Sequence, residues 1–517
     1  MTCFLKDFSL FFTLGYLVHF LSFSVSLTLY ISGMSLLPYL IGLPLLGAAS
    51  LLILPKDKIE TQKVVGFAAS CLTLVVSLVV YLQFNTSSAK YQMVTSLPYV
   101  QEYGINGSLG IDGISLFLVL LTTLLVPLCL LAGWSLTSNV VEYFVAFLVL
   151  ESFTLGVFLS LDLLLFYVFF EAVLIPMYFI IGIWGSRARK IQAAYMFFLY
   201  TLAGSLLMLL ALVLIATEAG TTDLLVLPSL QMSFERQVLV WMAFFIAFGV
   251  KIPMVPMHVW LPEAHVEAPT GGSVFLAGIM LKLGGYGFLR LSLPLLPEAC
   301  VYFSPLVCTL SLGAIVYTSL TTIRQIDLKK IVAYSSVAHM GVVTLGIFSL
   351  TQAGIEGALF LMLGHGFVSS ALFVMIGALY DRYKTRLVHY YGGLVLTMPL
   401  FGTAFVMLSM ANIGLPGTVS FVGEFLVLCG SFSVSSLLAL GGAFGMILGG
   451  AYQLWVCNRI IFGLPKPWAL DGQADLNRRE TALLAPLLIG TVYFGVYPDP
   501  LLVPMHSSIA HLLGHLS

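Results

Sequence analysis

The sequence predicts an all-α polytopic membrane protein of about 14 core transmembrane helices, and three observations lead there. Hydrophobic residues make up 60% of the chain and charged residues 9%, with a mean hydropathy of +1.04; a soluble domain carries roughly a quarter charged residues. Apolar runs of about 20 residues, long enough to cross roughly 30 Å of hydrocarbon, recur along nearly all 517 positions. Lysine and arginine gather in alternate connections between those runs, as the positive-inside rule requires.

The elements follow in order. Residues 1–34 form an apolar extension with no A-x-A-like cleavage site, read as an extra N-terminal helix, an uncleaved leader or a mis-assigned start. Residues 35–134 hold the first three transmembrane helices, near 35–54, 62–84 and 112–134. A first repeat, 141–297, holds spans near 141–160, 161–184, 191–217, 237–260 and 270–297. A second, 301–462, holds spans near 301–325, 328–350, 353–380, 396–431 and 434–462. Residues 463–517 supply a loop, DLNRRE included, and a last span near 481–505.

With the spans in this order, sixteen Lys and Arg residues fall on one side and three on the other: Lys90, Arg236 and Arg290. Lys6 precedes the first span. The expectation is fourteen spans with both core ends on the basic side. Of 22 basic residues, only Lys251 and Lys282 then remain inside the membrane.

A charge at the bilayer centre costs roughly 2.5–3.5 kcal/mol even on the lenient insertion scale, so partners are expected. Glu171 and Glu424 are equally deep, and Glu151, His339 and His365 lie within or near the ends of other spans. Two helix breaks accompany them: Lys251 precedes Pro253 and Pro256, and Glu424 follows Gly414, Pro416 and Gly417. Backbone freed by such breaks survives only inside protein or beside water. Spans four to eight and nine to thirteen thus read as two inverted five-helix repeats with discontinuous helices, a secondary-transporter architecture. Glu, Lys and His in apolar surroundings suit proton transfer, with ordered water expected to join helices too far apart for direct bonds.

The formal charge of −1 leaves no basic face for nucleic acid. The seven cysteines are scattered through apolar stretches without metal spacing, so no disulfide framework or iron–sulfur site is expected.

The stretches FYVFFEAVLIPMYFIIGIWGSR, AFFIAFGVKIPMVPMHVWLPEAHVEAPTGGSVFLAGIMLKLGGYG, TTIRQIDLKKIVAYSSVAHMG, LMLGHGFVSSALF and ANIGLPGTVSFVGEF resemble the antiporter-like subunits of respiratory complex I, from about 110 to 480. The resemblance implies a proton channel of two half-channels in which Glu171 and Lys251 form a charge pair, Lys282 links to the centre, His339 and His365 continue the path and Glu424 leads to the exit. It also implies no cofactor in this chain. NADH, FMN, iron–sulfur clusters and ubiquinone belong to other parts of the complex, with neighbouring membrane-arm subunits, lipids, protons and water as partners. The mitochondrial flavour of WGSRARKIQAAYMFFLY and LYDRYKTRLVHYYGGL places it in the mitochondrial inner membrane, with the bacterial plasma membrane as alternative.

A second tier comprises Glu151, His258, His265, Asp327 and Lys330. His258 and His265, with Glu263 and Glu267, lack compact ligand spacing, so loop structure and proton access come before a metal. Asp327, Lys329 and Lys330 read as solvated loop charges near a channel mouth, Glu151 as facing the fifth helix in some registers, and Asp162 as its cap. Rival readings are a subunit of a multisubunit cation/proton antiporter, a haem carrier using His339 and His365, and a purely structural anchor.

Overall fold

The computed structural model describes residues 36–55, 58–100, 105–230, 232–466 and 474–514, so the N-terminal extension lies outside the described residues. The helices are α1 Leu37–Ile53, α2 Ile59–Gln83, α3 Gly113–Ala132, α4 Val140–Leu159, α5 Leu163–Trp184, α6 Lys190–Ala219, α7 Phe234–Lys251, α8 Trp260–Glu267 and α9 Thr270–Leu295. They continue with α10 Pro297–Ile323, α11 Leu328–Ile347, α12 Gln352–Tyr383, α13 Pro399–Ile413, α14 Val419–Val434, α15 Ser436–Ile460, α16 Arg478–Val496 and α17 Asp499–Gly514. Among the described residues, ten helices are single apolar runs long enough to cross a membrane. The rest of the fourteen passes come from α1, α16 and two broken pairs, α7 with α8 and α13 with α14. Each pass matches an apolar run of the sequence.

Sidedness can be read from which connections touch. Lys63 at the start of α2 donates to the Trp134 carbonyl after α3, Ser186 N after α5 donates to the Glu267 carbonyl ending α8, and Leu328 N donates to the Arg386 carbonyl after α12. Arg382 meets Glu480 at 2.7 Å. All of these are connections assigned to the basic side, so the alternation holds. The expected placement of the core ends does not. The α1–α2 connection is basic-side and the passes are even in number, so parity puts the start of α1 and the end of α16 on the less basic face.

That face carries features the apolar runs do not reveal. An antiparallel hairpin, β1 Gln92–Val100 with β2 Ile105–Ile111, sits between α2 and α3. The last span ends at Val496, and α17 turns away from α16 by 67°. Its Ser508 hydroxyl accepts from Gly113 N at 3.1 Å. Gly113 has to be glycine for this approach, since a Cβ there would collide with the Pro504 carbonyl.

The helix breaks have the local causes the sequence suggests. Residue 251 ends α7 because Pro253 cannot donate to the Gly249 carbonyl and Pro256 could not continue the helix; Ile252 N and Met254 N close that end on the Phe248 and Gly249 carbonyls. α13 ends where Gly414 takes φ +83, a left-handed cap followed by Gly417 at φ +90. At about 1.5 Å per residue, α13 is near 22 Å long and cannot cross alone. By parity α7 comes from the less basic face and α13 from the basic one, so the two broken passes run in opposite senses.

Two unbroken passes stand at the centre. α9 and α12 are buried along the whole of their apolar stretch, whereas α6 and α15 present most of theirs to the outside. α9 also holds two π turns, Leu276–Met280 and Phe288–Ser292, on either side of Lys282.

Candidate functional site

The centre of the bundle holds a connected line of ionisable groups drawn from four helices. Lys282 of α9 is fully buried. Its Nζ donates to the Ala277 carbonyl at 2.5 Å and meets His365 Nδ1 of α12 at 2.8 Å. The His365 ring lies 5.8 Å, centroid to centroid, from that of His339 on α11. His339 Nδ1 is 3.2 Å from Glu424 Oε1 on α14. The Nε2 atoms of both histidines and Oε2 of Glu424 are buried without a protein partner. Beside Glu424 lies a cavity of about 20 Å³ lined by Ser319, His339, Asn412 and Tyr452, enough for one water, which needs about 10–15 Å³.

The sequence reading expects water between helices along the whole route. Lys282 and His365 instead touch directly, because α9 and α12 approach closely through small residues. A Cβ at Gly278 would collide with Ser370 Oγ of α12, and one at Gly366 would stand 3.4 Å from the Gly278 carbonyl. Ser369, one turn beyond His365, donates to its carbonyl and also lies 3.4 Å from its Nδ1.

With Lys282 as an ammonium and Glu424 as a carboxylate, hydrogen-bond roles follow for both imidazoles. An ammonium can only donate, so His365 accepts on Nδ1 and, when neutral, carries its proton on Nε2. An ionised carboxylate can only accept, so His339 donates from Nδ1 and presents a bare Nε2. The Nε2 atoms of the two rings are then one donor and one acceptor, both without a protein partner.

Glu171 and Lys251 form a second group. Lys251 is 2% exposed, at the carbonyl end of α7, where the helix dipole favours a cation. Its Nζ donates to the Phe170 carbonyl at 3.2 Å and sits 4.0 Å above the Phe170 ring. Glu171 is within electrostatic reach but makes no direct ion pair, and its Oε1 is buried without a partner. α9 packs on this break: a Cβ at Gly284 would meet the Phe248 carbonyl and Ile252. Among the described residues, no polar side chain bonds Lys251 to Lys282.

Of the second-tier residues, Lys330 pairs with Glu263 at 2.6 Å, each side chain about a third exposed (30% and 32%). His258 lies edge-on to Tyr317 and Tyr334, 6.0 and 6.3 Å between centroids, apart from the central line. His265 corrects the loop reading: it lies on α8, fully buried, stacked on Phe373 at 4.7 Å. Asp327 and Lys329 are buried rather than solvated. Asp327 caps α11 through Lys329 N, and Lys329 Nζ donates to the Ala268 carbonyl at 2.8 Å and to Ser273 Oγ at 3.3 Å, because the end of α8 offers acceptors there. Asp162 caps α5, accepting from Leu164 N and Leu165 N, as expected. Glu151 faces Thr73 of α2 at 2.6 Å, not the fifth helix.

Sequence reasoning missed a third deep cation. Arg290, counted as a residue of the less basic side, lies within α9, 6% exposed, and grips Asp112 with two bonds of 2.7 and 3.0 Å. It also donates to the hydroxyls of Tyr91 and Tyr286 at 2.6 and 3.0 Å. Its partner is 178 positions away, too far for any local pattern to reveal.

Comparison with known proteins places this geometry. The family described as "NADH:quinone oxidoreductase/Mrp antiporter, TM" matches residues 160–449. The chain is 57% identical over 477 residues to NADH-ubiquinone oxidoreductase chain 4 of Marchantia polymorpha, covering 92% of this chain and 96% of that one. It is 46% identical over 496 residues to NADH-quinone oxidoreductase subunit M of Rhodobacter capsulatus, covering 93% and 96%. A chain in respiratory complex I from Thermus thermophilus with bound NADH superposes with a TM-score of 0.84 at 30% identity, covering 93% of this chain and all of that one. A chain of the Mrp complex from Dietzia shares the fold, with a TM-score of 0.81 at 21% identity over 93% of this chain and 97% of that one. The chain therefore belongs to the antiporter-like transmembrane subunits of NADH:quinone oxidoreductases and Mrp antiporters, within the branch of chain 4 of NADH-ubiquinone oxidoreductase.

Proposed function

We propose that this chain is a proton-translocating membrane-arm subunit of NADH:ubiquinone oxidoreductase in the mitochondrial inner membrane, moving protons through Lys282, His365, His339 and Glu424. The observation that carries the reading is the polarity of that line. Lys282 donates to His365 at 2.8 Å, and His339 stands 3.2 Å from the carboxylate it donates to. Each imidazole therefore accepts on one nitrogen and donates from the other, so a proton can hop by exchange of bond and hydrogen bond. A proton leaving Lys282 Nζ arrives at His365 Nδ1; the Nε2 proton passes through water to His339 Nε2; the His339 Nδ1 proton reaches Glu424 Oε1. Charge is conserved at every hop, and the sequence runs equally in reverse.

Glu171 and Lys251 act on this line by charge rather than by bonds. An ammonium close to Glu171 repels a proton on Lys282 less than an unaccompanied one would. Redox chemistry belongs to other subunits: NADH, FMN, iron–sulfur clusters and quinone are handled there, and this chain contributes conduction. Its partners are neighbouring membrane-arm subunits and lipids.

The test is NADH-driven proton pumping per electron in vesicles containing the whole complex. Lys282→Met in an assembled complex is expected to lower the ratio while NADH oxidation continues or slows with it. An unchanged ratio would refute the assignment. Sodium-driven proton exchange without NADH would move the chain to the cation/proton antiporters.

A further inference from the structure

Glu151 is a buried carboxyl that the relay does not use. It is 0% exposed, in the middle of α4. Oε1 lies 2.6 Å from Thr73 Oγ1 of α2, and Oε2 has no partner.

The bonding leaves its protonation state little freedom. The Thr73 hydroxyl has one proton, yet it stands at donor distance from two acceptors, the Ser70 carbonyl at 2.8 Å and Glu151 at 2.6 Å. One proton serves both contacts only as a shared, weaker bond, whereas a protonated Glu151 donates to Thr73 while Thr73 donates to the Ser70 carbonyl, giving each contact its own proton. Charge gives the same answer. α1, α3, α4 and α5 contain no Lys, Arg or His, and α2 contains only Lys63, which is bound to Glu60 and the Trp134 carbonyl. Two thiols, Cys71 of α2 and Cys129 of α3, interact with Glu151 by charge; α1 offers Tyr39, and α5 offers Tyr167, Tyr178 and Glu171. α9, whose Tyr286 hydroxyl donates to the Phe158 carbonyl of α4, carries the cations Lys282 and Arg290, but these are bound to His365 and Asp112 and not to Glu151. An uncompensated carboxylate buried in such a place is far costlier than a neutral acid.

We propose that Glu151 is a resident neutral carboxylic acid, a fixed hydrogen-bond donor to Thr73 that positions α4 and, through it, the Glu171 helix. α4 bears directly on α5: Gly156 receives the Phe169 ring, which a Cβ would meet at 2.6 Å, and Phe153 lies 6.3 Å from the same ring. Phe169 is two residues from Glu171. A slip of α4 against α2 therefore moves the carboxyl that faces Lys251. The positioning role rests on the proposed proton function; the protonation state does not.

Infrared difference spectroscopy of the intact complex separates the two. Wild type minus Glu151→Gln should show the carbonyl stretch of a protonated carboxyl, present throughout the neutral pH range. Thr73→Val, which removes the acceptor, should shift that band upward in frequency, and this arm holds even if the glutamine variant assembles poorly. A lost carboxylate band in place of the acid band would overturn the proposal. In pumping assays Glu151→Ala should lower protons per electron and Glu151→Gln, whose amide still donates, should restore it. A glutamine variant as impaired as Lys282→Met would overturn the positioning role and place Glu151 on the relay. If Lys282→Met pumps normally while the acid band is present, the relay reading fails and the protonation assignment survives.

Discussion

Asp112→Asn tests whether the buried Arg290 is held by charge or merely by shape. Asparagine keeps the size of the side chain and its carbonyl oxygen, so it can still accept from Ser115 N and cap α3, as Asp112 does. The charge is removed, and the oxygen that accepts from Arg290 Nη1 becomes an NH2 donor. The pair it breaks is bidentate, with bonds of 2.7 and 3.0 Å and both side chains 6% exposed. Removing one member of such a pair leaves the other buried and uncompensated, at a cost of about 3–5 kcal/mol. At about 1.4 kcal/mol per factor of ten, that lowers the folded-to-unfolded ratio by roughly a hundredfold to several thousandfold. The tyrosine hydroxyls of Tyr91 and Tyr286 remain bonded to the guanidinium, which favours the lower end. The assays are the amount of assembled complex in the membrane and the half-time of its thermal inactivation. Adding Arg290→Met removes the stranded cation and should recover most of the loss. Equal losses in the single and double variants, or none in either, would refute the reasoning.

Acid should act at the same place. Burial raises the Asp112 pKa, but the Arg290 charge and hydrogen bonds outweigh it and leave the carboxyl below its usual range. A depressed folded pKa gives stability that is complete above the unfolded value, about 3.9, and is lost as pH falls through the lower folded value. Asp112→Asn should therefore flatten the acid limb of a stability–pH curve; an unchanged limb would contradict this. Gly414→Ala should cost about 1–2 kcal/mol for its left-handed conformation and should also displace Glu424, since its Cβ would stand 2.4 Å from Oε2. Lower protons per electron with normal assembly are expected, and an unaffected ratio counts against the Glu424 geometry. Lys330→Ala breaks a pair that is about a third exposed (30% and 32%), worth no more than about 1 kcal/mol. Pumping and assembly should stay near wild type, and a loss like that of Lys282→Met would put Lys330 on the path.

What the sequence reveals is what hydrocarbon enforces. Each apolar run becomes a pass because lipid cannot hydrogen-bond backbone, and Lys251, Lys282, Glu171 and Glu424 stand out because charge is so rare there. What stays hidden depends on partners distant in sequence. Lys329 looks solvated in IDLKK until the end of α8 arrives with the Ala268 carbonyl. Arg290 looks like a span end until Asp112 closes on it. The hairpin carries no apolar run and so leaves no mark in a search for spans. The placement of the core ends required only counting, and parity corrects it. Which histidine nitrogen faces which neighbour needs the rotation of three helices about their axes, which spacing alone does not supply.

The π turn at Leu276–Met280 gives Lys282 a dependence of another kind. A π turn holds one residue more than the α turn it replaces, and each residue advances the helix by roughly 100°. The direction in which Lys282 points is therefore set by how many residues precede it in that turn, more than by their chemistry. Size-conserving substitutions at 276, 277, 279 and 280 preserve the count and leave the ammonium on His365, whereas Gly278 is needed besides for the close approach to α12. A single deletion there turns it toward another neighbour without altering any ionisable group. For this lysine, length is the inherited quantity, and spelling is secondary.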